Sequence, residues 1–134
     1  MKELTKKGLQ TFAEIRGKER SDQMRDEIKS GGFSAAFTNL SADFVFGSIW
    51  SRDGLERKQR SLVTMGVLIA LRATKEFKNH VKAGLNNGLT VKEIEEAIIQ
   101  SAVYAGFPAA KAASDAAIEA FEELGMQIIK GKEA

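Results

Sequence analysis

The sequence predicts an all-α protein, and three observations support that prediction. Proline occurs once among 134 residues. Alternating runs of β-branched residues, which would indicate strands, are scarce, and apolar residues instead recur at intervals of three and four. This spacing places apolar side chains on one face of a helix with about 3.6 residues per turn. A chain of this length can bury one hydrophobic core, so we expect a single helical domain over residues 1–134.

The first part of the chain divides into three helical stretches. An opening helix should cover about residues 2–16, and a second helix about residues 21–30. Gly31 and Gly32 should end the second helix, because glycine readily adopts the left-handed conformation found after helix C-termini. The helical spacing then continues to the single tryptophan, Trp50. The apolar residues that define these stretches are Leu4, Leu9, Phe12 and Ile15, then Phe33, Phe37, Leu40, Phe44 and Ile49.

A new helix should start near Asp53, which is suited to the N-cap position. Glu56, three residues later, completes the aspartate version of a capping box. Beyond Arg60 the helix is apolar on almost all sides, so we expect it to be central and buried.

Turn and cap signals define the remaining helices. Gly88 should end the helix that carries Glu76 and His80. Thr90 and Glu93 form a second capping box for the next helix. The last helix is rich in alanine and has a proline in its first turn, where the missing N–H costs little. The whole pattern amounts to six or seven helices.

The composition excludes several classes of function. Lys and Arg number 20 against 18 Asp and Glu, which leaves a net charge of +2 and no basic face for a nucleic acid. The absence of cysteine rules out disulfides, thiolate metal sites and cysteine nucleophiles. Residues 1–17 contain no signal-peptide core, and the longest apolar run, residues 62–71, is shorter than the roughly 20 residues that span a bilayer. We therefore expect a cytoplasmic protein that binds neither nucleic acid nor membrane.

Glu76 and the only histidine, His80, are four residues apart, so on a helix they share a face. A carboxylate near an imidazole favours the charged imidazolium, and a general acid or base near neutral pH benefits from such tuning. The apolar stripe of the same helix places His80 at the edge of the core. The alternative interpretation is an exposed ion pair of little consequence. A metal site is not expected, because one histidine and scattered carboxylates give no convergent set of ligands.

Two further features could bind an anion. Arg57, Lys58 and Arg60 lie in the first turns of a predicted helix, where cations oppose the helix dipole. Either an anionic ligand needs them or they form a solvated face. Trp50 precedes Arg52 at a helix junction, and an aromatic wall beside a guanidinium is a common way to hold a carboxylate-bearing ligand. A tryptophan can equally be a core residue.

Taken in order, these stretches resemble the carboxymuconolactone decarboxylase family. The similarity is clearest in "IWSRDGLERKQRSLVTMGVLIAL" and "EFKNHVKAGLNNGLTVKEIEEAIIQSAVYAGFPAA", and it extends to the "KGLQTFAEIRG" opening. The most specific motifs are Trp50-Ser51-Arg52, Arg60-Ser61-Leu62, Glu76-Phe77 with His80, Tyr104-Ala105-Gly106 and Pro108-Ala109-Ala110.

The resemblance implies a helical bundle of the alkyl hydroperoxidase D-like type and an enzyme of aromatic catabolism. The decarboxylase branch acts in the protocatechuate part of the β-ketoadipate pathway. It converts 4-carboxymuconolactone to 3-oxoadipate enol-lactone and carbon dioxide without a cofactor. The resemblance also implies a homo-oligomer, a trimer or a hexamer, with sites near subunit contacts. The alanine-rich last helix and the phenylalanines of residues 33–46 are compatible with such burial.

The resemblance also implies roles for five residues. His80 would be the proton donor or the oxyanion partner, and Glu76 would orient and charge it. Arg60 and Arg52 would hold the substrate carboxylates, and Trp50 would line the pocket. Arg60 could instead be a structural residue at a helix start.

The peroxidase branch of the same superfamily uses a CxxC pair that this chain lacks. The two cysteine positions correspond to Ala73 and Glu76, and an upstream glutamate position corresponds to Ser61. Thiol-based peroxide reduction is therefore excluded. Two alternatives stay open: a different small-molecule lyase or isomerase on the same site, and a non-catalytic ligand-binding or assembly protein.

Overall fold

The computed structural model describes residues 1–128, and all secondary structure in that range is helical. The all-α prediction is confirmed, and the α-helices of these residues fall within the expected six to seven. Among residues 1–128, no helix combines the length and the hydrophobicity that crossing a bilayer requires. The elements are α1 (Glu3–Arg16), α2 (Lys18–Ser30), α3 (Ala35–Leu40), a π-helix (Ser41–Ile49), α4 (Arg57–Ala70), α5 (Thr74–Asn86), α6 (Val91–Ala105) and α7 (Phe107–Glu123).

The chain divides into two compact units, of which the first is Met1–Arg57 and the second begins at Lys58. The first unit holds α1, α2, α3 and the π-helix. The second unit holds α5, α6, α7 and all of α4 except its first residue. The single domain expected over residues 1–134 stays a prediction.

In the first unit, α1 and the π-helix pack with their backbones close together. A Cβ atom built on Gly8 would lie 1.8 Å from the carbonyl oxygen of Ala42. One built on Gly47 would lie 2.9 Å from the carbonyl oxygen of Leu4. These glycines are needed because any larger side chain would separate the two helices.

A buried carboxylate reinforces the same contact. Asp43, on the π-helix, accepts a hydrogen bond of 2.5 Å from the hydroxyl of Thr5 on α1. The ammonium of Lys2 lies 3.2 Å from the second carboxylate oxygen. Asp43 and Thr5 are both buried. Each supplies the hydrogen-bond partner of the other, and without it the buried polar group would destabilise the folded unit.

The π-helix is the least expected element of the fold. At its end the N–H of Trp50 donates to the carbonyl of Val45, five residues earlier, at 2.9 Å. Long π-helices are rare, and π-helical turns occur frequently at functional sites. The apolar spacing of residues 33–49 predicts a helix. It does not distinguish a π-helix, whose N–H groups donate to carbonyls five residues earlier, from an α-helix, in which the separation is four residues.

In the second unit, α4 to α7 enclose a hydrophobic core. Gly84 on α5 makes room for the side chain of Met65 on α4, because a Cβ atom there would lie 2.7 Å from the terminal methyl carbon of Met65. The last helix, α7, contributes mainly alanines, which allow α5 and α6 to pack near its axis. The large buried side chains of this core are Met65, Ile69, Phe77, Val81, Leu89, Ile94 and Phe121.

One predicted capping box is confirmed and the other is wrong. The N–H of Glu93 donates to the Thr90 hydroxyl at 3.0 Å, and the N–H of Thr90 donates to the Glu93 carboxylate at 2.9 Å. Asp53 does not cap α4, because α4 begins at Arg57. Residues 51–52 still close the end of the π-helix, through hydrogen bonds to Gly47 and Ile49. Residues 53–56 then connect the end of the π-helix to the start of α4.

The prediction that α4 is buried on all sides is also wrong. Only Ser61, Met65 and Ile69, one every four residues, are fully buried. Val63 and Val67 on other faces are 60% and 53% exposed. The apolar residues beyond Arg60 thus serve two surfaces of α4, a core face and a face open in the single chain.

Candidate active site

Helix α5 places the predicted acid–base pair. Phe77 and Val81 are fully buried and fix the rotation of the helix about its axis. Glu76 is exposed in the first turn, where a carboxylate interacts favourably with the helix dipole. His80 is half-buried, and its Nδ1 atom is buried. The structure therefore places His80 at the edge of the core, as its spacing predicted.

Glu76 and His80 are not hydrogen-bonded to each other. Among residues 1–128, the Glu76 carboxylate takes part in no hydrogen bond or ion pair, whereas the His80 side chain has interactions of its own. Catalytic hydrogen bonds are often long or unformed before the substrate binds, so this geometry is compatible with a catalytic role for the pair. Their joint role stays a prediction.

Arg60 lies on α4, in the same unit as His80. Its side chain is half-buried with its Nε atom buried, so the guanidinium is held against the protein. The next residue, Ser61, is fully buried, and its Oγ accepts a hydrogen bond of 2.9 Å from the side-chain amide of Asn87. Asn87 directly follows α5. This hydrogen bond joins the helix that carries Arg60 to the end of the helix that carries His80.

The Ser61–Asn87 hydrogen bond is a structural contact that the sequence did not reveal. The residues "NNG" are typical of a turn. Ser61 corresponds to the glutamate position of the peroxidase branch, which does not indicate a partner for it. Nothing in the periodicity of either helix pairs two residues 26 positions apart.

Trp50 and Arg52 lie together in the first unit. Trp50 directly follows the π-helix and is only 7% exposed. Arg52 is exposed in the following turn, where its N–H donates to the carbonyl of Ile49 at 3.1 Å. The structure thus brings Trp50 close to Arg52 in one unit, while Arg60, Glu76 and His80 belong to the other. That all five form one site stays a prediction.

Arg57 and Lys58, near the start of α4, are each paired with a carboxylate. The guanidinium of Arg57 lies 3.1 Å from the Glu14 carboxylate. The ammonium of Lys58 lies 3.1 Å from the carboxylate of Glu93. Together with the backbone hydrogen bond from Thr90, which has the larger effect, Lys58 holds the pKa of Glu93 below its ordinary value. These two cations are therefore parts of the fold.

A groove on the second unit offers a different surface. It encloses about 750 Å³ between α4 and α6, with Leu62, Val63 and Val67 on one side and Glu96 and Gln100 on the other. Neither Glu76 nor His80 lines it. Its apolar wall and acidic rim do not suit a dianionic ligand, so the groove is a poor substrate site.

Comparison with known proteins identifies the family. Residues 35–119 match the sequence profile described as the Carboxymuconolactone decarboxylase family. Over 121 residues the chain is 39% identical to 4-carboxymuconolactone decarboxylase from Acinetobacter baylyi, a match that covers 90% of this chain and 89% of that protein. The chain belongs to the carboxymuconolactone decarboxylase family. The membership predicted from the separated sequence motifs is confirmed.

Two further relatives match the chain over part of its length. It is 42% identical over 76 residues to nitrosuccinic acid decarboxylase from Metarhizium robertsii, covering 57% of this chain and 53% of that protein. It is 34% identical over 80 residues to an uncharacterized 15.0 kDa protein from Paracoccus denitrificans, covering 58% and 60%. The relatives from Acinetobacter baylyi and Metarhizium robertsii are thus both named as decarboxylases.

Proposed function

We propose that this protein is a cofactor-independent decarboxylase, a carboxy-lyase that acts on 4-carboxymuconolactone or a related small anionic lactone. The observation that carries the proposal is the match to 4-carboxymuconolactone decarboxylase along 90% of the chain. The half-buried histidine on α5 supports it, because decarboxylation needs a proton donor and the chain has no other imidazole. The products would be 3-oxoadipate enol-lactone and carbon dioxide.

The chemistry sets two demands on the site. When the bond between the ring carbon and the carboxylate breaks, its electron pair delocalises toward the lactone carbonyl, which gains oxyanion character. A positioned hydrogen-bond donor stabilises that charge. A proton must then add to carbon, which is the work of a general acid. We assign His80 to one or both of these tasks.

The substrate is a dianion, so cations must hold it before any bond breaks. Arg60 and Arg52 are proposed to bind its carboxylates, because a guanidinium offers two parallel N–H donors to a carboxylate. Trp50 would form the wall of the pocket.

Glu76 would act through His80. A carboxylate one helical turn from an imidazole favours the imidazolium form, which is the form that can donate a proton to carbon. The exposed position of Glu76 allows it to swing toward His80 when a substrate excludes water.

A direct assay tests the proposed reaction. The purified protein should release carbon dioxide from 4-carboxymuconolactone and form an enol-lactone without added metal or cofactor. Nitrosuccinate should be assayed in parallel, because a relative carries that substrate in its name. Turnover of nitrosuccinate alone would identify a different small-acid decarboxylase, and turnover of neither compound would contradict the proposal.

We also propose that the protein is a cytoplasmic homo-oligomer, a trimer or a hexamer. Large apolar side chains are exposed in both units, and surfaces of this kind usually mark protein contacts. A mass measured by light scattering at the single-chain value would contradict the oligomer. The exposed apolar residues are Phe33, Phe37, Leu40 and Phe44 in the first unit, and Val63, Val67, Val103, Tyr104 and Phe107 in the second.

A further inference from the structure

We propose that Arg57 is a positioning residue, which holds the Trp50–Arg52 segment in the conformation that receives the substrate. This inference rests on the proposed function for its last step, because that function makes Trp50 and Arg52 parts of the substrate pocket. The placement of the segment by Arg57 itself rests on geometry within the first unit alone.

The location of Arg57 raises a question of stability. It is the first residue of α4, where a positive charge opposes the helix dipole. A residue that only had to be polar and solvated could carry a negative charge there at no cost. The arginine must therefore gain something from a contact outside its own helix.

That contact is the end of the π-helix. The Nε–H of Arg57 donates to the carbonyl of Trp50 at 3.2 Å. Carbonyls at the end of a helix lack intrahelical donors, and arginine side chains can supply them. The positive charge also suits the negative end of the π-helix dipole. The same charge that is unfavourable for α4 is favourable for the element that precedes it.

The second arm of the guanidinium is anchored on α1. Its Nη2 atom donates to the carboxylate of Glu14 at 3.1 Å, across 43 positions of sequence. Arg57 thus links three elements: the start of α4, the end of the π-helix and the last turns of α1. A lysine has a single charged nitrogen and no Nε donor, so it could not make both contacts with the same geometry.

Two hydrogen bonds within the segment are local. The hydroxyl of Ser51 donates to the carbonyl of Gly47 at 2.6 Å, and the N–H of Arg52 donates to Ile49 at 3.1 Å. Neither of them ties the segment to α1 or to α4. Arg57 ties the carbonyl of Trp50 to Glu14 on α1, so its loss should loosen Trp50 and Arg52 together while leaving the helices formed.

Trp50 provides a readout that does not depend on activity. It is the single tryptophan, so the intrinsic tryptophan fluorescence of the protein reports on this segment alone. In Arg57→Gln we expect the emission to shift to longer wavelength and quenching by acrylamide to increase. We expect kcat/KM for 4-carboxymuconolactone to fall by roughly ten- to a hundredfold, mainly through KM, because misplaced binding groups cost about that much. For Arg57→Lys we expect emission, quenching and kcat/KM values between those of the wild type and those of Arg57→Gln.

Lys58→Gln is the matched control. Lys58 is the next residue of the same helix and also pairs with a carboxylate, but its partner is Glu93 rather than a group near Trp50. It should leave tryptophan emission and quenching as in the wild type. Glu14→Ala removes only the anchor on α1 and should produce a smaller shift than Arg57→Gln.

Three outcomes separate the possibilities. If folded Arg57→Gln and Glu14→Ala both keep wild-type emission and quenching, the positioning role is wrong. If the emission shifts and KM rises, the inference holds as stated. If the emission shifts but binding and turnover of the substrate do not change, Arg57 positions the segment but the segment is not part of the pocket. Should Arg57→Gln fail to fold, Arg57→Lys and Glu14→Ala decide by the same readouts.

Discussion

His80 and Arg60 each present a half-buried side chain with one buried nitrogen, on neighbouring helices of one unit. Such a side chain is held in place by packing and still reaches the surface, which a proton donor or a carboxylate ligand needs. The residue that connects their helices is Ser61, whose buried hydroxyl accepts a hydrogen bond from Asn87. Single residues of this kind decide whether the two candidate groups keep a fixed separation.

The Ser61–Asn87 hydrogen bond can be tested by a double-mutant cycle. Asn87→Ala should lower the free energy of unfolding by about 1–3 kcal/mol, because it leaves a buried hydroxyl without its donor. Ser61→Ala and the double variant complete the cycle, and we expect a coupling energy of about 1 kcal/mol from urea denaturation. Additive effects of the two substitutions would show that the hydrogen bond contributes nothing to stability.

At the level of elements, most helices follow from the sequence and the exceptions have physical causes. Thr90 with Glu93 marks the start of α6 because both halves of a capping box are local. Asp53 suggested a false start for α4, because the segment that leaves the π-helix also contains residues suited to a cap. The second helix starts at Lys18 instead of near residue 21, so Ser21 lies inside the helix, where its hydroxyl donates to the carbonyl of Leu9.

The contact between α1 and the π-helix should tolerate no side chain at Gly8. Gly8→Ala would place a methyl group at an impossible distance from the backbone of Ala42, so the two helices would have to separate. We expect a loss of at least about 3 kcal/mol in the free energy of unfolding, the upper part of the range for overpacking. Gly54→Ala is the control, because a Cβ there meets no atom within 4 Å. Equal stabilities of the two variants would contradict the packing.

An ion-pair cluster between α5 and α7 should make stability depend on acid. Hydrogen bonds from Lys78 and then Lys82 lower the pKa of Glu123 to about 2, from the model-compound value of 4.5. The hydrogen bonds that Lys78 donates to Glu123 and then to Glu119 raise the pKa of Lys78. Folding lowers the pKa of Glu123. Its contribution to the stability of the folded state is therefore complete above about pH 4.5 and is lost as the pH falls toward 2.

Melting temperatures between pH 2 and 7 check this dependence. Glu123→Gln should show a flatter profile than the wild type, and the difference should shrink at high salt because the cluster is exposed to solvent. Glu95→Gln, on the exposed side of α6, should keep the wild-type profile. A Glu123→Gln profile parallel to that of the wild type would show that the cluster does not contribute.

At the level of the whole molecule, the candidate site residues are divided between two compact units. Trp50 and Arg52 belong to the first unit, and Arg60, Glu76 and His80 to the second. The sequence motifs predicted the family, because motifs record residue identities at fixed spacings, and the roles of the site residues stay a prediction. They could not predict Ser61 with Asn87 or Arg57 with Glu14, since side-chain contacts across 26 and 43 positions leave no local pattern.

The exposed apolar side chains are also a property of the whole molecule. The sequence predicted that the helix beyond Arg60 is central and buried, but Val63 and Val67 are 60% and 53% exposed in the single chain. Hydrophobic periodicity reports that a residue avoids water, but not whether its own chain or another chain covers it.

The decarboxylation rate of His80→Gln tests whether His80 is the proton donor. Glutamine keeps a polar side chain of similar size but cannot donate a proton as a general acid. With 4-carboxymuconolactone as substrate, we expect kcat to fall by about a hundred- to ten-thousandfold, the usual contribution of such a group. Asn79→Gln, the neighbouring residue on α5, should keep wild-type activity. If folded His80→Gln, with the same oligomeric mass as the wild type, retains full decarboxylation, then His80 is not the proton donor and the proposed mechanism is wrong.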